Sequence, residues 1–461
     1  MTQEYDAIII GTGQSGPALA GRFDREGRKV AVIERHKIGG SCVNFGCIPT
    51  KALVASARVA QLARRAAEYG IVVAGDVRAD MKQVKARMRE ISGLSNTGLT
   101  SWLEGMNNVT LCRGHARFEG PDTVRVDDQL LRADKIFLNV GARALVPDLP
   151  GLDEIEYLTS SGILDLDDLP DHLIVVGGSY IGLEFGQMYR RFGSRVTLVE
   201  RSPRLIGRED EDVSDAVRGI LENEGVEVRL NAECIGFRKE GDRIAAQVSC
   251  DEGSPETVGS HLLLAVGRLP NTHDLGLERA GITPDERGYI PVDDQLRTSV
   301  AGIWAIGDCN RRGAFTHTSY NDYEIVAANL FDDDPRRVSD RIACYGLYID
   351  PPLGRIGMTE RQALASGRRV LVGKRPMTKV GRATEFGETQ GFMKVLVDGD
   401  SEEILGAAIL GLSGDEVVHC LLDAMYAKAP YTVVARAVHI HPTVAELVPT
   451  ILQSLRPLVP A

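Results

Sequence analysis

The chain has 461 residues, 43% of them hydrophobic and 25% charged, with a formal net charge of −11. That length exceeds the ~250 to 300 residues one core holds, so several domains are expected, and the composition excludes a disordered, collagenous or disulfide-scaffold protein. The acidic balance repels nucleic acid and anionic membrane surface, so neither is an expected partner. Glycine is over-used, with 49 residues against an ordinary share of about 7%, which points to tight turns and close approach of backbone to ligands. The acidic start, Met1 to Asp6, lacks a basic leader, and the longest apolar-plus-glycine run, Ile404 to Leu412, is far short of a membrane span. A cytoplasmic location is expected.

The β-branched run Asp6-Ala7-Ile8-Ile9-Ile10 predicts the first strand, which Gly11-Thr12-Gly13-Gln14-Ser15-Gly16 turns into a helical stretch ending at Glu26-Gly27. Lys29 to Glu34 predicts the next strand, and its acid falls 23 residues after Gly11. This is the order of a dinucleotide-binding unit. Gly11 makes the turn, Gly13 admits the pyrophosphate, Gly16 permits close helix packing and Glu34 holds a ribose diol.

The next segment, Gly39-Gly40-Ser41-Cys42-Val43-Asn44-Phe45-Gly46-Cys47-Ile48-Pro49-Thr50-Lys51, holds the one closely spaced pair among eight cysteines. In an intracellular chain such a pair suggests redox chemistry or metal, and the second Cys or His pair of a closed zinc site is missing. Residues five apart on an ideal helix have Cα atoms about 8.6 Å apart, whereas a disulfide needs less than about 7 Å. If the two cysteines bridge, the helix must break there, with Gly46 and Pro49 as candidate causes. The other six cysteines read as bystanders.

Helices are expected over residues 51–69 and 80–106, strands near 109–118 and 135–140, and a linker around Pro147, Pro150 and the acidic 165–171 stretch. A shift of 166 residues then finds the first unit again: Leu173-Ile174-Val175-Val176, the turn Gly177-Gly178-Ser179-Tyr180-Ile181-Gly182, and Arg195 to Glu200, the acid once more 23 residues after the first glycine. One glycine loop is weak evidence; two in full strand-turn-helix-strand context are strong. Ser179 replaces the middle glycine, and its hydroxyl can donate to a phosphate. Glu200 favours NAD over NADP because it accepts from a 2′-hydroxyl and repels a 2′-phosphate, although Arg201 and Arg204 are near enough to reach one. A hairpin is expected over 251–260, strands over 262–266 and 302–306, the latter ending in Gly307-Asp308, and a boundary at 332–337. The tail from residue 340 alternates strands and helices without a glycine fingerprint.

Taken together, these motifs resemble the flavin-dependent pyridine nucleotide-disulfide oxidoreductases, the family of glutathione reductase, lipoamide dehydrogenase and mercuric reductase, over essentially the whole chain. Gly307-Asp308 resembles the second FAD motif, Gly114-His115-Ala116 the adenine-side loop, and Asn139-Val140-Gly141 the strand end joining the nucleotide domains. His439 to Glu446 is similar to the acid-base segment. The resemblance implies an α/β fold with two Rossmann-like dinucleotide-binding domains and a C-terminal α+β dimerisation domain. Its order is 1–149 for FAD with the redox pair, 150–270 for NAD(P), 271–339 for the second FAD part and 340–461 for dimerisation. It implies FAD held by Gly11, Gly13, Gly16, Glu34, Gly40, Ser41, Lys51, Ala116, Gly141, Asp308 and Thr316. NADH, or NADPH, would be held by Gly177, Ser179, Tyr180, Ile181, Gly182, Glu200 and Gly267.

The implied chemistry runs from NADH through flavin to a Cys42-Cys47 disulfide, and on to an outside acceptor. Cys47 is then the thiolate against the flavin, and Cys42 the nucleophile that meets substrate. His441, oriented by Glu446, moves the proton, and in the family this pair serves the cysteines of the opposite subunit of a homodimer. Lys51 and Glu184 match an ion pair beside the flavin, and Tyr180 an aromatic lid over it; a packed aromatic heading a helix is the plainer reading. His439 has no such partner.

His317 replaces a proline usual in the family, which makes the chain similar to a branch of mercuric-reductase-like and reactive-chlorine-resistance flavoproteins. The N-terminal metal domain and C-terminal cysteine pair of dedicated mercuric reductases are not seen, and no metal site is expected. The expectation is therefore an NAD(P)H:disulfide oxidoreductase acting on a small disulfide or reactive oxidant. A mercuric- or copper-ion reductase using the same dithiol, a lipoamide-dehydrogenase-type activity and a flavin-based redox sensor are the alternatives.

Overall fold

The computed structural model describes residues 2–250 and 254–459. Its first sheet has five parallel strands in the order Ile303–Ala305, Ile136–Leu138, Ala7–Ile10, Val30–Glu34, Val109–Arg113. The three central strands are buried at every residue, as a parallel sheet with both faces covered requires. Phe23 of the Ser15–Arg25 helix packs at 5.7 Å on Phe137 of this sheet and at 5.1 Å on Phe331 of the Thr316–Phe331 helix. The chain thus returns to its first sheet after building the second.

That second sheet is also parallel, in the order Glu227–Arg229, Arg195–Val199, His172–Val176, His261–Leu264. Ala7 pairs with Val30 and His172 with Arg195, so the repeat legible in the sequence is a repeat of register. Ala142–Ala144 and Arg268–Pro270 pair as a two-stranded connector between the units. The tail forms a six-stranded antiparallel sheet in the order Cys344–Leu347, Leu353–Gly357, Ile404–Leu410, Phe392–Asp398, Val370–Pro376, Arg456–Pro457.

Two expectations need correction. The parallel strand begins at Ala7, after a separate strand, Thr2–Tyr5, that pairs with Gln129–Ala133 in a second small sheet. Thr2, Gln3 and Glu4 are exposed, so that strand carries no apolar pattern to read. The helix expected over 51–69 begins at Cys47, runs to Arg64, and is followed by a separate turn, Ala66–Tyr69. The helix expected over 80–106 is Met81–Glu104, with Asp80 capping it by accepting from Gln83 N at 3.2 Å. Of the 251–260 hairpin, residues 251–253 lie outside the described residues, and Glu256–Gly259 runs antiparallel to Arg243–Cys250.

Buried charge locks the second unit to the antiparallel sheet. Lys394 Nζ lies 3.0 Å from Asp210, 2.7 Å from Asp212 and 2.8 Å from Glu360, and Arg355 lies 3.2 Å from Asp210. Removing one member of such a buried pair costs about 3–5 kcal/mol, so the network resists separation of the two parts. Among the described residues, no helix is long and apolar enough to cross a membrane.

Candidate active site

The two glycine turns are built alike. Gly11 and Gly177 have φ of +105° and +113°, and a Cβ on either would lie 2.3 Å from Asn139 O or 2.4 Å from Ala265 O. A Cβ on Gly16 would meet Gly11 O at 2.3 Å, and one on Gly182 would meet Gly177 O at 2.0 Å. No side chain larger than hydrogen fits at these points. Gly13 and Gly40 face each other, since a Cβ on Gly40 would lie 2.9 Å from Gly13 Cα. Ser41 follows Gly40, exposed in the first turn of Gly40–Asn44.

Both acids lie where the spacing puts them, and each also holds its own loop. Glu34 accepts from Thr12 N at 3.0 Å, Thr12 Oγ1 at 2.5 Å and His36 N at 2.8 Å. Glu200 accepts from Gly178 N at 2.6 Å and Ser202 N at 2.7 Å. A carboxylate has about four acceptor positions, so capacity remains for ribose hydroxyls. Ser179 is exposed and its hydroxyl caps no helix N–H, while Tyr180 and Ile181 open the Tyr180–Phe192 helix. Arg204 pairs with Glu211, which occupies one of the two arginines offered to a 2′-phosphate.

Asn139 ties the first loop together by donating from its side chain to Gly11 O at 3.3 Å and Gly13 O at 3.1 Å. Its sequence signal was only its place beside Gly141. Gly114 N donates to Glu34 O at 3.1 Å, which brings the 114–116 segment, with Ala116 buried, alongside the acid. Gly141 and Gly267 stand at the two ends of the connector, with φ of +64° and +145°. Asp308 sits in the Gly307–Asn310 turn after the last parallel strand, with Arg268 3.7 Å away; burial raises its carboxyl above the usual range. Asp322, which sequence reading missed, fixes that turn by accepting from Gly307 N at 2.8 Å and Asn310 Nδ2 at 3.0 Å. The glycine cradle, the acid at the strand end and Asp308 in the Gly307 turn after the last parallel strand are a donor and acceptor set that fits a flavin dinucleotide.

Helix Gly40–Asn44 stops at Phe45, and the 18-residue helix Cys47–Arg64 starts immediately after Gly46. The break that a bridge between the two cysteines would require is therefore present at Gly46, where a Cβ would already press Ser41 O at 3.0 Å. Pro49 takes no part in it. It is the third residue of the new helix, where a backbone N–H has no partner within the helix in any case.

All seven cysteines whose side chains are described are free thiols, and Cys42 and Cys47 are half-buried. Their environments push them in opposite directions. A hydrogen bond from Cys42, then Thr316 and Lys51, outweigh burial and bring Cys47 down to about 6, and the same sulfur contact together with burial raises Cys42. Thr316 Oγ1 is 3.0 Å from Cys47 Sγ. Cys47 also heads its helix, where the dipole favours a thiolate. Lys51, one turn on, meets Glu184 at 2.7 Å and lies over the Tyr348 ring at 4.5 Å; Glu184 accepts from Tyr348 N at 3.0 Å.

At the other end of the chain, His441 Nδ1 is 2.8 Å from Glu446 Oε2, and 82% of its side chain is exposed. Val438 and Ile440 beside it are exposed by 100% and 80%. His439 turns away and meets Ala445 O at 2.8 Å. His317 Nε2 meets Cys344 O at 2.7 Å.

Two glycine cradles on parallel sheets, a dithiol at a helix head and an antiparallel tail carrying a His-Glu pair define a two-nucleotide oxidoreductase. Comparison with known families agrees: the pyridine nucleotide-disulphide oxidoreductase model matches residues 5–322, and the dimerisation domain of that family matches 344–451. The chain belongs to this family. It is 34% identical over 454 residues to a probable pyridine nucleotide-disulfide oxidoreductase, RclA, of Escherichia coli, covering 96% of this chain and 97% of that protein. It is 32% identical over 447 residues to a mercuric reductase of Streptomyces lividans, covering 96% and 94%. The Cu(II) complex of the HOCl-induced flavoprotein disulfide reductase RclA superposes with a TM-score of 0.89 at 33% identity, over 98% of this chain and 99% of that one. The protein is an NAD(P)H:disulfide oxidoreductase of the flavoprotein type, and FAD and a pyridine nucleotide are its cofactors.

Proposed function

We propose that the protein takes reducing equivalents from NADH and delivers them through the Cys42-Cys47 pair to a small disulfide or reactive sulfur acceptor. The observation that carries this reading is the split of the two thiols: Cys47, beside Thr316 and Lys51, is held as thiolate near neutral pH, while Cys42 keeps its proton until attack. Bound FAD supplies hydride acceptance from the nucleotide and electron transfer to the disulfide. The protein's own residues do the rest. Lys51, fixed by Glu184, places a cation beside the electron-rich end of the site. Cys42 passes its proton to His441 and attacks the acceptor disulfide as thiolate, the bond to the distal sulfur breaks, and the leaving sulfur takes that proton back from His441, whose other nitrogen is oriented by Glu446. Cys47 then attacks the mixed disulfide at Cys42 and releases the second thiol. The exposure of His441 fits service to the cysteines of a second copy.

NADH is favoured over NADPH because Glu200 is held at the ribose end and Arg204 is engaged by Glu211. A copper- or mercuric-ion reductase is the second reading. It is supported by the relative solved as a Cu(II) complex and by the mercuric reductase relative, together with the affinity of a dithiol for soft ions.

Anaerobic reduction with NADH, followed by addition of candidate oxidants, tests both. A long-wavelength thiolate-to-flavin absorption that is discharged by disulfides supports the first reading. Turnover with Cu(II) or Hg(II) and none with disulfides would replace it with the second.

A further inference from the structure

Beside the redox pair stand three parallel rings and one edge-on ring. His317 and Phe315 stack at 5.4 Å and 11°, and Phe315 and Tyr345 at 5.5 Å and 10°. Tyr180 meets Phe315 edge-on at 5.9 Å and Tyr345 at 5.6 Å. Phe315 and His317 flank Thr316, which touches Cys47; Tyr345 belongs to the antiparallel sheet; Tyr180 heads a helix of the second unit. The column therefore joins all three parts of the chain.

Its far end is anchored. The Tyr345 hydroxyl donates to Glu209 Oε1. Glu209 has no exposed side-chain surface and sits 3.7 Å from Arg355 Nε, which is itself 1% exposed. Glu209 Oε2 and Arg355 Nε have no hydrogen-bond partner, so Glu209 is held by charge and burial and is not free to turn to solvent.

We propose that Tyr345 and Glu209 are positioning residues that dock the Tyr180 ring in its resting place, and so set how readily the pyridine nucleotide enters. This rests on the reading of Tyr180 as the lid of the nicotinamide site. To leave the column, Tyr180 gives up two edge-to-face ring contacts. A nucleotide that binds only the displaced state sees its intrinsic affinity reduced by the displaced fraction. Tyr345→Phe keeps the stacked ring but removes the hydroxyl that anchors it to Glu209, which loosens the ring Tyr180 packs against and raises that fraction. A hydrogen bond of ordinary net strength corresponds to about a 2- to 10-fold change.

Calorimetric titration of the flavin-loaded protein with NAD⁺, where no turnover occurs, tests the dock alongside NADH kinetics. In Tyr345→Phe the NAD⁺ Kd and NADH KM fall by about 2- to 10-fold, with kcat for flavin reduction changed less than KM. Glu209→Leu, which removes the acceptor of the Tyr345 hydroxyl, gives a similar shift, and the double variant gains little more than either single one, because hydroxyl and carboxylate act as a pair. Unchanged or weaker NAD⁺ binding in Tyr345→Phe, or fully additive effects, overturns the dock. Tyr180→Ala separates the layers. If it binds NAD⁺ no differently from the parent, the lid reading falls and takes the dock with it; if it binds tighter while Tyr345→Phe does not, only the dock falls.

Discussion

Around Cys47 stand Cys42, Thr316 at 3.0 Å, and Lys51 held at 2.7 Å by Glu184. Around His441 there is Glu446 at 2.8 Å, with most of the imidazole in solvent and bare Val438 and Ile440 beside it. On the proposed reading, the electron half of the chemistry is assembled by folding. The proton half is oriented by folding but left facing outward, which is the arrangement expected where a second copy completes a site. Thiolate chemistry needs a low-mobility electrostatic environment, whereas a proton donor must reach an acceptor that arrives from outside.

The comparison can be broken at several points. Cys47→Ser removes the electron half outright: disulfide turnover falls on the order of a thousandfold or more, and the long-wavelength absorption of the NADH-reduced protein disappears. An absorption that survives the substitution would move the thiolate role elsewhere. His441→Ala lowers disulfide turnover by about 10²- to 10⁴-fold while NADH-to-dye electron transfer continues; equal loss of both would make His441 structural. Ile440→Asp charges the apolar rim of the proton half. It is expected to shift the protein toward monomer in sedimentation and to lower disulfide turnover about tenfold or more, with Cys47 still titrating as before.

The smallest effect sharpens the electron half. Cys47 has its pKa lowered from 9.0 to about 6, so thiolate is present above that pH and is lost as pH falls through it. Thr316→Ala removes a donor to the thiolate and is expected to move the midpoint upward by about one unit or less, read from thiolate absorbance of the reduced protein against pH. A midpoint that stays in place would assign the depression to Cys42 and Lys51 alone.

Much of this site is legible in spacing. The 23-residue interval from glycine to acid returns as strand register in both sheets, and the break that a Cys42-Cys47 bridge would need is present at Gly46. His441 and Glu446 were also marked by position. What could not be read were contacts with no local pattern: Asn139 closing the first loop, Asp322 fixing the Gly307 turn, Glu209 beneath Tyr345. The polar Thr2–Tyr5 strand was invisible for a related reason, since an exposed strand has no apolar alternation.

By itself the sequence determined the backbone demands. A left-handed turn or a missing Cβ is a property of one residue, and a strand-to-strand interval is a property of neighbours. Only the tertiary structure decided electrostatics and access. Which thiol is ionised and how tightly a ring is held depend on groups brought together from distant positions, Thr316 on Cys47 and Glu209 under Tyr345, and Coulomb energy follows distance in space and local burial, not order along the chain.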